Sequence, residues 1–119
     1  MMGTAEARQE GLPEGLRREL KALAEAYKEV LARSGVQGNA SILLHTASIY
    51  GASRIMAYAL GRRCQENTAR VLELAKEGLG QVASYLSEPK EDRRRLLVRL
   101  AALELIIYQT ALHCAGLEN

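Results

Sequence analysis

The stretch from Ala40 to Leu60, which reads ASILLHTASIYGASRIMAYAL, decides the fold of this chain. Its apolar side chains point in almost every direction around a helix, and a helix of that kind needs to be covered on all sides. Polar residues such as His45 and Arg54 interrupt it often enough to argue against a membrane span. A four-helix bundle of this size is too small to cover it completely, so we expect part of its surface to be a subunit or partner interface. The residues predicted to form that interface are Leu43, Ile49, Tyr50, Met56 and Tyr58.

Three further helices, all amphipathic, are predicted: one before this segment and two after it. The first follows Pro13 and ends at Ser34, another spans about 66 to 86, and the last begins near Lys90 and stops at Gly116. Each carries apolar residues at steps of three and four, the period of a helix with one buried side. Their buried stripes are predicted to be Leu16, Leu20, Leu23, Tyr27, Val30 and Leu31, then Thr68, Leu72, Ala75, Leu79, Val82 and Leu86, and finally Leu96, Leu100, Leu103, Ile107, Ala111 and Cys114. We therefore predict an all-α, antiparallel four-helix bundle over residues 13–117, after a flexible N-terminal tail over residues 1–12.

The bulk composition indicates an ordinary globular domain. The chain has 119 residues, a formal net charge of +2, no Phe and no Trp, so its core has to be aliphatic. Cys64 and Cys114 lack the CxxC spacing and are too few for a disulfide framework, so we expect a reducing compartment. The N-terminal sequence MMGTAEARQEG has no apolar core of the kind found in signal peptides. These features predict a cytoplasmic protein that does not associate with membranes.

No motif in the sequence predicts catalysis, a cofactor or a metal. The patterns HxxxH, ExxH and CxxC are absent, which leaves a zinc or di-iron site little support. The acidic residues are spread over helix exteriors, where nothing would raise the pKa of a carboxyl group. Neither a glycine-rich phosphate loop nor a nucleophile motif is present. We therefore expect a protein that is not an enzyme.

Two weaker patterns lie within the Ala40 to Leu60 segment. His45 is followed by small residues, as in histidine phosphotransfer domains, but the sequence HTASIYG lacks the lysine that normally follows in those domains. The spacing of Ala47, Gly51 and Ser53 resembles the start of a helix-turn-helix motif. The recognition helix would then be residues 53–60, which are mostly apolar. A plain buried helix is the preferred interpretation of both patterns.

Arginine is concentrated in two parts of the sequence. The candidate nucleic-acid-binding residues are Arg54, Arg62, Arg63 and Arg70 in the first group and Arg93, Arg94, Arg95 and Arg99 in the second. Guanidinium groups match the geometry of phosphate oxygens, which favours a nucleic acid as ligand. The alternative is a solvated helix surface with ion pairs one turn apart, such as Arg70 with Glu73. The two groups need not meet within one subunit, but copies of the chain arranged in a ring would combine them.

A family resemblance is carried by residues 56–75, which read MAYALGRRCQENTARVLELA. This stretch resembles the sequence I-A-E-G-x-G-R-R-S-x-x-x-F-x-R-F-L-x-x-A of the four helix bundle protein family. That family includes intervening-sequence proteins of large ribosomal RNA genes and accessory variability determinants of diversity-generating retroelements. The matching positions are Ala57, Gly61, Arg62, Arg63, Arg70, Leu72 and Ala75. The departures are Tyr58 for the acid, Ala59 for the first Gly, Cys64 for the Ser, and Thr68 and Val71 for the two Phe.

The resemblance implies a homo-oligomer, a pentameric barrel, with a basic surface that binds structured RNA or DNA. In the retroelement branch it also implies a complex with a reverse transcriptase. Arg62, Arg63 and Arg70 are the matched basic positions. The leading hypothesis is accordingly a non-catalytic nucleic-acid-binding accessory protein with a reverse transcriptase as a partner. The alternatives are a structural protein–protein adaptor and a small helical subunit of an RNA-guided defence complex.

Overall fold

The computed structural model describes residues 11–35, 39–90 and 92–117, and these parts of the chain form four long helices joined by short connectors without any strand. The helices are α1 (Glu14–Arg33), α2 (Ala40–Leu60), α3 (Gln65–Ser87) and α4 (Arg93–Cys114). The predicted all-α fold with four helices is confirmed. The predicted bounds of α1, α2 and α3 agree within a residue or two, whereas α4 begins three residues later than Lys90.

Local chemistry explains the start of α1 and both ends of α4. α1 begins directly after Pro13, which has a fixed φ and suits the start of a helix. Asp92 precedes α4, and its carboxylate accepts a hydrogen bond of 3.1 Å from a backbone N–H of the first turn. Gly116 follows α4 with a φ of 74°, a left-handed conformation that glycine adopts without steric cost. The next N–H, of Leu117, donates to the carbonyl of Leu112 over 2.9 Å, which closes a Schellman motif.

α1 and α3 lie side by side and run in the same direction. At their C-terminal ends the Arg33 guanidinium donates to the carbonyl of Ala83 over 3.2 Å and to the hydroxyl of Ser87 over 2.7 Å. At their N-terminal ends Leu16 and Ala69 line the same surface cleft. Contacts at both ends therefore make this a parallel pair, although the two helices are not consecutive in the sequence.

α2 and α4 form the second parallel pair. A disulfide joins Cys64, which follows α2, to Cys114 at the end of α4. Nearer the other end, His45 of α2 contacts the carboxylate of Glu104 in α4. Consecutive helices consequently alternate in direction, as the antiparallel bundle requires.

The bundle is built from two layers, one of α1 and α3 and the other of α2 and α4. α1 packs most extensively against α3, α4 packs chiefly against α2, and α2 also packs against α3. α1 and α4 make almost no contact. The molecule measures 41 × 40 × 20 Å, so its short dimension is about two helix diameters. This flat arrangement leaves the outer side of each layer without cover from the rest of the chain.

The core between the layers is aliphatic, and it uses most of the predicted stripes. Fully buried residues come from every helix, for example Leu23, Ile49, Leu72 and Leu100. Half of the surface of Leu31 is exposed, and Tyr27, Leu86 and Ala111 of the predicted stripes are only partly buried. The full buried apolar set is Leu12, Leu16, Leu20, Leu23, Val30, Ile42, Ile49, Met56, Ala57, Val71, Leu72, Ala75, Leu79, Val82, Ala83, Leu96, Leu100, Leu103, Ile107 and Cys114.

Leu12 belongs to this core, although the sequence placed it in the N-terminal tail. Only 5% of its surface is exposed. Residues 1–10 of the predicted tail lie outside the described residues.

The disulfide corrects the expectation drawn from the cysteines. Cys64 and Cys114 are 50 residues apart in the sequence, and their Cα atoms lie 6.0 Å apart. Sequence spacing alone gave no reason to pair them, because their proximity depends on α2 and α4 running side by side in the same direction. The cytoplasmic location stays a prediction.

Candidate interaction surfaces

The outer side of α4 is apolar over about four turns. Val98, Leu105, Tyr108 and Leu112 are between 47% and 66% exposed. At 100° per residue these positions point away from Leu100 and the other buried residues of the helix. The side of α4 that faces away from the core therefore has the composition of a buried surface.

α2 extends this surface on the adjoining side of the layer. Leu44 and Ile55 are 72% and 70% exposed, and both lie on the side of α2 that is turned toward α4 rather than α1. Because the two helices run parallel, Ile55 lies beside the C-terminal half of α4. We call this surface the outer apolar face and define it by Leu44, Ile55, Val98, Leu105, Tyr108 and Leu112.

α4 is also the one helix within the described ranges that is long and apolar enough to cross a membrane. Its most apolar window has a mean hydropathy of 1.4, and 22% of that window is buried in the protein. Length and composition alone are weak evidence for a span, since core helices pass the same test. The low buried share shows that most residues of α4 are not buried by the rest of this chain.

The interface residues predicted on α2 need a correction. Ile49 is completely buried and Met56 is 3% exposed, so both belong to the core of the chain itself. Leu43, Tyr50 and Tyr58 are half-buried and pack against that core. Packing within the chain thus supplies most of the cover that α2 needs.

The exposed apolar surface of α4 was not predicted, although the sequence of α4 carries the same signal as that of α2. Leu97, Val98, Leu105, Ile106 and Leu112 are apolar residues outside the predicted buried stripe of that helix. The criterion applied to α2, apolar residues on all sides, would have identified α4 as well.

A polar bridge joins α2 to α4 beneath the outer apolar face. The Glu104 carboxylate accepts a hydrogen bond from Ser48 over 3.2 Å and contacts the Nδ1 atom of His45. In a catalytic triad the imidazole lies between the serine and the acid, so that it can take the serine proton. Here the carboxylate lies between the two, so the arrangement orients the helices and does not activate Ser48.

The two predicted arginine groups lie at opposite ends of the bundle. Arg62 and Arg63 are exposed in the turn between α2 and α3, and Arg70 is exposed two turns into α3. Arg94 and Arg95 are exposed in the first turn of α4, at the other end. The two ends are separated by about 30 Å, the length of α4 at 1.5 Å per residue.

These arginines differ from Arg33 in their contacts with other residues. Arg33 forms a 2.7 Å ion pair with Glu29 and bonds to α3, so its guanidinium is part of the bundle. Among the residues that the structure describes, Arg62, Arg63 and Arg70 form no ion pair, and Arg70 does not reach Glu73. Their charge is therefore not neutralised by a neighbouring carboxylate of the described chain.

Arg54 contacts two tyrosines at the junction of α1 and α2, and a third tyrosine stacks on one of them. The rings of Tyr27 and Tyr50 are stacked, with centroids 4.2 Å apart. The Arg54 guanidinium lies 5.3 Å from the Tyr50 ring and 5.8 Å from the Tyr58 ring, within the range of cation–π attraction. Hydrogen bonding with Tyr58 raises the pKa of Arg54 above its ordinary value, and partial burial opposes that rise. Arg54 is therefore a fixed positive charge at all relevant pH values.

Within the described parts of the chain, no three His, Cys, Asp or Glu side chains lie close enough together to hold a metal ion. His45 takes part in the polar bridge, and Cys64 takes part in the disulfide.

Comparisons of the chain with protein-family models, with curated proteins and with solved structures found no match. The resemblance of residues 56–75 to the four helix bundle protein family stays a prediction.

Proposed function

We propose that this chain is a non-catalytic nucleic-acid-binding accessory protein that assembles with copies of itself. The observation that carries the proposal is the set of surface arginines that no carboxylate of the described chain neutralises. Arg62, Arg63 and Arg70 are the clearest members of this set. A guanidinium presents a planar fork of N–H donors, which suits phosphate oxygens.

The local distribution of charge supports a nucleic acid more than the total does. The net charge is only +2, which gives the whole molecule a weak field. The arginine groups concentrate positive charge at the two ends of the bundle. Assembly would bring the ends of several copies together and enlarge the positive surface that meets a polyanion.

The outer apolar face supports the assembly. Contiguous apolar patches larger than a few hundred Å² are uncommon on monomeric soluble proteins. A second copy is the occupant we propose, because the face is nearly uncharged and every copy carries exposed apolar side chains against which its neighbour can pack. A ring of five subunits is the arrangement implied by the family resemblance.

The Gly61-Arg62-Arg63 turn supports the resemblance in structural terms. A Cβ atom at Gly61 would lie 2.9 Å from Leu16 Cδ1, so the glycine lets the turn pack against α1. The two arginines that follow are exposed. A reverse transcriptase as protein partner is the further expectation that this resemblance brings to the proposal.

The adaptor function is the second candidate, and the outer apolar face is the observation that favours it. An adaptor would place a different protein on this face. It predicts a defined assembly by light scattering, and capture of the partner that is unaffected by Arg62→Ala with Arg63→Ala.

The direct test of the proposed function is a salt titration of RNA binding. A structured RNA should shift on a gel at low salt, and log K should fall linearly with log salt, since each phosphate contact releases a counterion. The double variant Arg62→Gln, Arg63→Gln should bind about tenfold more weakly or worse at about 0.1 M salt. Arg18→Gln with Lys76→Gln removes the same charge elsewhere and should change binding much less. No shift at low salt, or equal losses in both variants, would contradict the proposal.

A further inference from the structure

The junction of α1 and α2 contains a basic groove, and Arg54 is the one predicted nucleic-acid-binding residue in its lining. Arg17, Lys21 and Lys28 line it from α1, and Tyr50, Arg54 and Tyr58 line it from α2. The groove has a volume of about 420 Å³. It stays open because α1 packs far more against α3 than against α2.

The charge in this groove is predominantly positive. Its four cations are Arg17, Lys21, Lys28 and Arg54, and its one acid is Glu25. Glu25 lies 3.7 Å from Lys28, and both side chains are mostly exposed. Of the other three cations, none forms an ion pair within the described chain. An anion that enters the groove would therefore meet cations from two helices.

Arg54 is held in place before any ligand arrives. Its guanidinium is fixed against two tyrosine rings, and Tyr50 is itself supported by the stacked ring of Tyr27. A pre-positioned arginine loses less side-chain entropy when it binds a phosphate than a free surface arginine does.

The geometry favours the sugar–phosphate backbone over the bases. Tyr50 already stacks on Tyr27 and faces Arg54, and Tyr50 and Tyr58 are both half-buried, so neither offers a free ring to a base. Arg17 and Lys28 are eleven residues apart on α1, about 16 Å along the helix. That length spans several phosphates of one strand.

We propose that the groove binds the phosphates of a single-stranded segment of nucleic acid, without reading its bases. This inference rests on the proposed function and assigns it a site. A groove between two helices has room for one strand, whereas a duplex would remain outside it. Recognition through phosphates makes the affinity independent of base sequence.

The experiment compares two triple variants with the wild type in binding fluorescent single strands of thymidine nucleotides. The groove variant removes the three positive charges on the α1 side of the groove and carries Arg17→Gln, Lys21→Gln and Lys28→Gln. The control variant removes three positive charges outside the groove and carries Arg18→Gln, Lys76→Gln and Lys90→Gln. The groove variant should bind at least tenfold more weakly, with a salt slope lower by about 2, since each single-strand contact contributes about 0.7. The control should stay within about threefold of wild type, and circular dichroism should be unchanged in both.

A second probe separates phosphate binding from base binding. An abasic strand of the same length should bind the wild type within about threefold of the thymidine strand. If both variants retain the binding of the wild type equally, the proposal that the groove is the binding site is wrong, while the proposed function remains intact. A large loss with the abasic strand would also overturn it, because bases would then contribute. A wild type that binds no nucleic acid at low salt would contradict both proposals.

Discussion

The two layers of this bundle have opposite outer surfaces. The exposed residues of α1 and α3 are almost all charged or polar, as Lys21, Glu29, Arg70 and Glu73 illustrate. The exposed residues of α2 and α4 include most of the large apolar side chains that the core leaves out. The same chain thus builds one layer for contact with water and another that resembles the inside of a protein. From this contrast we expect the proposed second copy to bind the α2/α4 layer, and the proposed nucleic acid to bind the α1 side and the ends of the bundle.

The largest expected effect comes from cutting the covalent link between α2 and α4. Cys64→Ser with Cys114→Ser opens a loop of about 50 residues, which costs about 4 kcal/mol in the chain-entropy account of disulfides. Urea denaturation should show the loss, and reduction of the wild type should reproduce it. If both treatments leave the midpoint unchanged, α4 does not depend on this link.

The comparison between the two sides of α4 is tested by a matched pair of truncations. Leu100→Ala removes a fully buried side chain and should cost about 3 kcal/mol. Leu105→Ala removes a side chain that is 61% exposed and should change the stability of an isolated subunit by about 0.5 kcal/mol or less. Denaturation of dilute protein measures both. Equal losses would mean that the outer side of α4 is covered within the chain.

The polar bridge between α2 and α4 should contribute less than the core. Glu104→Gln keeps a side-chain acceptor but removes the charge that strengthens the contacts with His45 and Ser48. We expect a loss of about 1 kcal/mol, because the bridge is partly exposed. Thermal unfolding at constant pH measures it, with Glu73→Gln on α3 as the exposed control. A gain in stability would indicate that the charge of this partly exposed carboxylate destabilises the fold.

Two glycines of α3 give the smallest expected effects. Gly80 is exposed and has nothing within 4 Å of an added Cβ, so Gly80→Ala should stabilise the protein by about 0.5–1 kcal/mol. An added Cβ at Gly78 would lie 2.6 Å from Leu103 Cδ2, so that Gly78→Ala gains less or loses stability. Thermal denaturation of the pair checks whether α3 and α4 approach as closely as the structure has them.

Much of the fold follows from local signals in the sequence. Pro13 and Gly116 act within one helical turn of where they stand, so helix ends could be placed from them, whereas the start of α4 was placed near Lys90 and the cap at Asp92 was missed. The buried stripes follow from the period of the helix. The pairing of α1 with α3 and of α2 with α4 could not be predicted in this way, because four helices of similar length satisfy the same local rules in several arrangements.

The features that depend on pairing were missed for the same reason. The stacking of Tyr27 on Tyr50 and the Cys64–Cys114 disulfide both join residues far apart in the sequence. The interface was assigned to α2 alone, since Ile49 and Met56 look as available in a sequence as Leu44 and Ile55 do. Only the packing of the layers decides which of these side chains are covered.

Sedimentation velocity tests the claim that the outer apolar face is covered by a second copy of the chain. The wild type should sediment as an oligomer of the 13.1 kDa subunit. Leu105→Glu with Leu112→Glu should sediment as a folded single subunit, whereas Gln65→Glu with Asn67→Glu, which adds the same charge to the α1/α3 layer, should stay assembled. A wild type that sediments as a single subunit at tens of micromolar would contradict the claim.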